Sequence, residues 1–278
     1  MNWFLVRELF TVTIVVLFYA LPIGIPVYLF APEYFLLVSG VSVSLVSLSI
    51  IYSVIRSLIH RYRLEYISSE ELQQTIDEFS TPLSDSLNIP TPKISVVKDQ
   101  VINARAGGLS YRTGYVELTE GLVMMLSRTD LKVVISHELS HIKSRDGLIL
   151  HILQGPYSVV IWIMKLIQCI QSKTDSMLVS GPIFVVQIAL KLYSSVLLMG
   201  IRSIMRGREH LADRDAARAT SKAEVISTLE TLQALTEGES DAESTSLFSE
   251  YTSSLFSTHP ELEERITHLQ ETNISQRE

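Results

Sequence analysis

Four long apolar stretches, residues 9–30, 34–55, 148–170 and 178–201, constrain the fold of this chain more than any other feature. Each is close to the ~20 residues with which a helix crosses the hydrocarbon core of a bilayer. A soluble protein of 278 residues has little chain left to cover four such helices, so membrane spans are expected. Composition agrees: 47% of the residues are hydrophobic, 19% are charged and the mean hydropathy is +0.27. The first stretch is too long for the apolar part of a cleaved signal peptide, and a second follows it almost at once. The third carries His151, Pro156 and Lys165, which leaves a kinked or partly re-entrant course open.

Ala31-Pro32-Glu33 joins the first two stretches and residues 171–177 join the last two, so the spans form two hairpins. The expected organisation is a hairpin over 1–58, a soluble segment over 59–147, a second hairpin over 148–201 and a second soluble segment over 202–278. Arg56, Arg61, Arg63, Lys143, Arg145, Arg202, Arg206 and Arg208 flank the spans on one side, whereas the short loops hold Lys173 with Glu33 and Asp175. Excess positive charge marks the cytoplasmic side, so a multi-pass protein of the cell membrane with both soluble segments in the cytoplasm is expected. The single cysteine, Cys169, falls within a span and offers no structural disulfide. The lipid bilayer is thus one partner, while a net charge of -7 argues against nucleic acid as another.

Between the hairpins lies Ser136-His137-Glu138-Leu139-Ser140-His141. Residues four apart on a helix project from one face, so His137 and His141 can grip one metal ion. Glu138, between them, is placed to take a proton from a water at that metal. Ser127-x-x-Asp130 resembles a capping box that would start the helix, and Leu131, Ile135, Leu139 and Ile142 recur at helical spacing as a buried stripe. The histidines fall on the opposite side from that stripe. A catalytic zinc site takes three protein ligands and leaves a position for water, so a third donor is needed. Glu209 and Asp213, in the first polar run after the second hairpin, are four apart and share a helix face. One of them could ligate while the other accepts the far N–H of a ligating histidine and fixes its tautomer. Arg206, Arg208, His210 and Arg214 are all candidates for stabilising negative charge on a substrate oxygen.

The remaining soluble part reads as helices around a small sheet. Ser68-x-x-Glu71 resembles a second capping box, with Leu72, Ile76, Phe79 and Leu83 along one face before Asn88-Ile89-Pro90 breaks the pattern. Leu262, Ile266 and Leu269 make another stripe. Residues 93–98 and 114–119 read as paired short strands. An open edge of the second could hold a peptide by strand addition, or the strand could be purely structural. Residues 237–257, rich in serine and acidic residues yet carrying several large apolar ones, read as a flap near the cleft or as a packed surface loop.

His137-Glu138-Leu139-Ser140-His141-Ile142-Lys143-Ser144-Arg145-Asp146, followed by two spans and then Glu209-His210-Leu211-Ala212-Asp213, resembles the HtpX-like membrane zinc metallopeptidases, which are of gluzincin type. Asn103-Ala104-Arg105-Ala106-Gly107-Gly108, Val116-Glu117-Leu118-Thr119-Glu120-Gly121-Leu122 and Thr258-His259-Pro260-Glu261-Leu262-Glu263-Glu264-Arg265-Ile266 fit the same family. The resemblance implies a mainly α-helical membrane protein, with four transmembrane helices in two hairpins and a cytoplasmic α+β zincin-like catalytic domain carrying a small β-sheet. It implies one Zn2+ per chain held by His137, His141 and Glu209, with Glu138 as general base and Asp213 behind a ligating histidine. It also implies zinc-dependent endoproteolysis of polypeptides, misfolded or damaged membrane proteins among them. The same resemblance favours the substrate-edge reading of the 114–119 strand, which makes Asn103, Val116, Glu117, Leu118 and His210 the candidate substrate-binding residues.

The chain departs from the family at two places. His210 stands where an aromatic residue is usual, either lining the cleft or marking a surface change. Arg105 stands where phenylalanine is usual, which detaches the family's substrate preference from this chain. Two rival readings are an intramembrane metalloprotease and a non-proteolytic zinc-binding scaffold. Lys132, Lys143, Arg145 and Asp146 around the motif count against the first, and the intact Glu138 counts against the second.

Overall fold

The structure, a computed structural model, describes residues 28, 33, 35–62, 66, 70–172, 177–240 and 262–272. Apart from Tyr28, the first expected span lies outside the described residues, as do the Ser68 cap and residues 241–261. The helices are α1 (Phe35–Tyr62), α2 (Glu70–Leu87), α3 (Glu120–Met125), α4 (Arg128–Ser144), α5 (Asp146–Gln171), α6 (Met177–Ala219), α7 (Lys222–Ser240) and α8 (Leu262–Glu271). The strands are β1 (Lys93–Val97), β2 (Ala104–Gly107) and β3 (Tyr115–Thr119). The chain divides into two compact units, one of Met1–Tyr62 with Ile149–Ile201 and one of Arg63–Leu148 with Arg202–Glu278.

The first unit is helical and apolar. Among the described residues, two helices are long and apolar enough to cross a membrane, Asp146–Cys169 and Ile183–Ala219. The apolar run of the second ends at Ile201, where Arg202 opens a polar segment. The stretch expected at 34–55 forms α1, whose apolar run Val43–Tyr52 is shorter. The third stretch is an unbroken helix, α5, that continues through Pro156. Gly155 lets it approach α1, since a Cβ there would stand 2.8 Å from Ile50 Cγ1. Beside it Tyr52 and Trp162 pack edge to face at 5.8 Å between ring centroids. Leu36, Val43 and Ile51 of α1 and Phe184, Val185, Leu192 and Met199 of α6 remain exposed, an apolar surface unlike that of a water-soluble fold.

The second unit is built on a three-stranded mixed sheet of order β1-β3-β2. β1 runs parallel to β3, with Ile94 opposite Val116 and Val96 opposite Leu118, so the expected pairing of these strands is present. β2 runs antiparallel to β3, with Ala104 opposite Leu118 and Ala106 opposite Val116. β3 is therefore the central strand. Val116, Glu117 and Leu118 have ladder partners on both sides, so the expected open edge at 114–119 does not exist. The edge next to α4 belongs to β2.

α4 starts as its sequence indicates. Ser127 is the N-cap, accepting from the Asp130 N–H at 3.2 Å and donating to Asp130 Oδ2 at 2.6 Å. The stripe of Leu131, Ile135, Leu139 and Ile142 is buried and faces a core shared with Ile76, Leu83, Val96, Val116 and Leu118. Burying each such side chain contributes about 1.5–3 kcal/mol before entropy is counted. The opposite face of α4 is buried too: Val133 packs on Ala216 and Ala217 of α6, Val225 and Leu229 of α7, and Leu269 of α8. The small alanines let α6 come close, and with it the carboxylates of its last turns. The stripe on α8 is formed as expected, with Leu269 buried and Leu262 and Ile266 packed on the same core.

Candidate metal centre

His137 and His141 lie one turn apart on α4, both buried, with their Nε2 atoms 3.0 Å apart. α6 brings Glu209 against them: Oε2 is 3.3 Å from His137 Nε2 and Oε1 is 3.5 Å from His141 Nε2. These donors form one group of ligating atoms within 4.8 Å of one another. Donors 2.0–2.1 Å from a tetrahedral zinc would stand about 3.3–3.4 Å apart, so the spacing fits one small divalent cation. Two imidazole lone pairs and a carboxylate crowd together only where a proton or a cation lies between them.

The far side of each ring is also held. His137 Nδ1 lies 2.9 Å from Asp213 Oδ1, and His141 Nδ1 lies 2.6 Å from Asp146 Oδ2. A carboxylate there fixes the N–H on Nδ1 and turns the Nε2 lone pair inward. Of the two carboxylates left interchangeable by their spacing, Glu209 therefore faces the inner nitrogens and Asp213 an outer one. Asp146 has the matching position behind His141. It was not singled out from the sequence, because five residues beyond His141 is off helical register. It folds back because Arg145 ends α4 in the left-handed region at φ 54°.

Each of these carboxylates is met by a buried arginine. Arg265 of α8 binds Asp213 through Nε at 2.8 Å and Nη2 at 2.5 Å. Arg208 of α6 binds Asp146 Oδ1 through Nε and Nη2, and its Nη2 also donates to the Ser144 carbonyl at 2.5 Å. Neither arginine was assigned this role by sequence. Arg208 is thus committed to Asp146, and Arg206 is an exposed residue 3.4 Å from Glu264.

The electrostatics favour a cation at the centre. Burial by itself would lower the His137 pKa, but the Asp213 and Glu209 carboxylates outweigh it and raise the value to about 10. His141 is shifted upward as well, its burial outweighed by Glu209 and Asp146. Asp213 is held well below the usual carboxylate range: burial opposes this, and the Arg265 guanidinium and then His137 overcome it. The surrounding carboxylates thus favour positive charge at the imidazoles, and a divalent ion can supply that charge.

Glu138, also buried, lines a cavity of about 60 Å³ with His137, Asp213 and Arg265, and with Val133, Val225 and Leu229 as part of its apolar wall. The other sequence candidates fall elsewhere. Asn103 sits just before β2, and its backbone exchanges bonds with Thr119 at 2.9 and 3.0 Å. Val116 and Leu118 are fully buried in the sheet. Glu117 is buried between Arg105, whose Nε donates to it at 3.0 Å, and the Tyr66 hydroxyl, also at 3.0 Å. These partners make it a brace of the sheet. His210 lines a separate hollow with Glu263, Glu264, Thr267, His268 and Glu271, its ring 4.0 Å from that of His268. Burial and the neighbouring His268 lower its pKa.

Paired imidazoles on one helix, a carboxylate from a second and a glutamate that lines a cavity with one of the two imidazoles are the parts of a metal-dependent hydrolase. The chain belongs to peptidase family M48, whose sequence profile matches residues 67–273. It is similar to the protease HtpX of Pasteurella multocida (strain Pm70), with 29% identity over 196 residues that cover 68% of each chain. A protease HtpX homolog of Campylobacter concisus (strain 13826) is 29% identical over 211 residues, 69% of this chain and 72% of that one. A further HtpX homolog, from Pyrococcus abyssi (strain GE5 / Orsay), is 33% identical over 168 residues, 58% of this chain and 56% of its own. The resemblance to HtpX-like proteins carried by the motifs is therefore borne out. The crystal structure of S. mikatae Ste24p shares the fold, with a TM-score of 0.50 at 18% identity, and the match covers 97% of this chain and 66% of that one.

Proposed function

We propose that this protein is a zinc-dependent endopeptidase embedded in the cell membrane, cleaving polypeptides at the cytoplasmic face. His137, His141 and Glu209 hold one Zn2+, Glu138 is the general base, and Asp213 and Asp146 orient the two imidazoles. The observation that carries this reading is the convergence of His137, His141 and Glu209 on one point, with Glu138 on the adjoining cavity wall. When bound, the metal acidifies a water and polarises the scissile carbonyl. Glu138 takes the proton from the attacking water as its oxygen bonds to the carbonyl carbon. As the C–N bond breaks, Glu138 returns that proton to the leaving amine. Asp213 and Asp146 keep the Nδ1 protons in place throughout, so that the Nε2 lone pairs stay directed at the centre.

An extended substrate would add to the edge of β2, which runs beside α4. Membrane embedding is supported by the length of α5 and α6 and by the exposed apolar side chains of α1 and α6. The arginines and lysines flanking the apolar stretches support the cytoplasmic assignment. A peptidase so anchored meets membrane proteins with unfolded cytoplasmic segments, and these are the proposed substrates. Glu138→Gln is the test. In detergent-purified full-length protein it should retain zinc yet lose about 10²–10⁴-fold of the cleavage rate on an unfolded polypeptide. Cleavage by the variant at the wild-type rate would sink the assignment.

A further inference from the structure

We propose that Arg208 is a positioning residue of the metal centre: acting through Asp146, it fixes the orientation and tautomer of His141, so that metal affinity depends on it and substrate affinity does not. The proposal rests on the metal-site reading above and extends it to a residue outside the ligand set.

The geometry isolates Arg208 in this role. Asp146 lies beyond the end of α4, past the left-handed turn at Arg145, so the α4 ladder does not hold its carboxylate. One carboxylate oxygen accepts from His141 Nδ1 at 2.6 Å, and the other accepts from the Arg208 guanidinium. The same guanidinium reaches the Ser144 carbonyl at 2.5 Å, the last residue of α4 and one whose carbonyl lies beyond the helical ladder. Arg208 thus ties the end of the histidine-bearing helix to α6 and holds Asp146 at the angle His141 requires. A lysine could replace its charge but not its planar fork.

Its place in the chain adds a second consequence. Arg208 directly precedes Glu209, so a single turn of α6 carries the third metal donor and the brace behind the second histidine. Arg265 is the counterpart behind His137, but the two differ in surroundings. Arg265 lines the cavity beside Glu138 and comes within 3.9 Å of Glu209 Oε2. Arg208 does not line that cavity and contacts Asp146 and Ser144. Removing Arg265 would disturb both chemistry and metal, whereas the Arg208 side chain touches the centre through Asp146 and His141.

The experiment uses the full chain in detergent, stripped of metal and titrated with Zn2+ against a chromophoric chelator. Arg208→Met and Asp146→Asn should each weaken zinc binding by about 10–100-fold, the range for partners behind metal-bound histidines. Arg208→Lys should fall between them and wild type, and it carries the test if Arg208→Met does not fold. The double variant should bind no more weakly than Asp146→Asn alone, because both changes break one chain of contacts. The control is Lys143→Met, which breaks the 2.7 Å ion pair between Lys143 and Asp215 joining the same two helices. It should leave zinc affinity within about twofold of wild type, and the zinc-saturated Arg208 variants should keep the wild-type KM. Unchanged affinity in the Arg208 variants, additive losses in the double variant, or an equal loss in Lys143→Met would overturn the role of Arg208 alone. A wild-type chain that takes up no zinc would overturn the metal-site reading on which it rests.

Discussion

Arg265→Met removes one half of the most buried ion pair at the site. The guanidinium makes two hydrogen bonds to Asp213, at 2.8 and 2.5 Å, and the side chains are 8% and 1% exposed. Methionine fills much of the same space, so the cost is electrostatic: a carboxylate left buried with His137 as its remaining partner. Breaking a buried pair from one side costs about 3–5 kcal/mol. At about 2–4 °C per kcal/mol for a unit of this size, the unfolding midpoint should fall by roughly 6–20 °C. Adding Asp213→Asn removes the stranded charge, so the double variant should recover a large part of the loss, with a coupling of about 1–3 kcal/mol. The assay is thermal unfolding of the metal-free chain in detergent, followed by helical circular dichroism. A loss below about 1 kcal/mol, or a double variant no more stable than Arg265→Met, would show that this charge is not confined as the structure has it.

The metal-free chain should have a stability bounded on both sides in pH. The His137 pKa is raised from 6.5 to about 10, so its contribution is complete below pH 6.5 and is lost as the pH rises through about 10. The Asp213 value is depressed from 3.8, so its contribution is present above pH 3.8 and is lost as the pH falls through the lower folded value. Midpoints measured across pH with and without zinc should show an alkaline decline that zinc suppresses; a flat metal-free profile above pH 6.5 counts against the pairing. Ser127→Ala removes the N-cap of α4 and should cost about 0.5–2 kcal/mol in denaturant unfolding, with no change in zinc stoichiometry. A neutral result would mean that the 2.6 and 3.2 Å bonds to Asp130 add nothing to the start of that helix.

Local patterns carried much of α4. Four apolar residues at helical spacing, a serine cap and two histidines four apart specify a buried face, a start and a pair of candidate ligands without reference to the rest of the chain. The third donor was less legible, since spacing left Glu209 and Asp213 equivalent and only the packing of α6 on α4 separates them. The sheet misled because Ala104-Arg105-Ala106-Gly107 contains no β-branched residue and is too short to show alternation. Without it, nothing marked the strand read at 114–119 as central, and the family resemblance favoured an edge. Glu117, named as a candidate substrate-binding residue, is instead a buried carboxylate between Val116 and Leu118. Its burial depends on Arg105 and Tyr66, which reach it from elsewhere in the chain. Asp146, Arg208 and Arg265 were hidden for the same reason. Their roles follow from a left-handed turn at Arg145 and from contacts between separate helices, neither of which leaves a periodic signal.

The metal dependence of cleavage tests the function most directly. The full chain is stripped with a chelator in detergent, and zinc is returned in small steps while hydrolysis of an unfolded polypeptide is followed. A single site held by His137, His141 and Glu209 requires activity that is absent at the start, rises in proportion to zinc and levels off near one equivalent per chain. Cleavage that survives stripping, or a full equivalent of bound zinc with no cleavage, would contradict it.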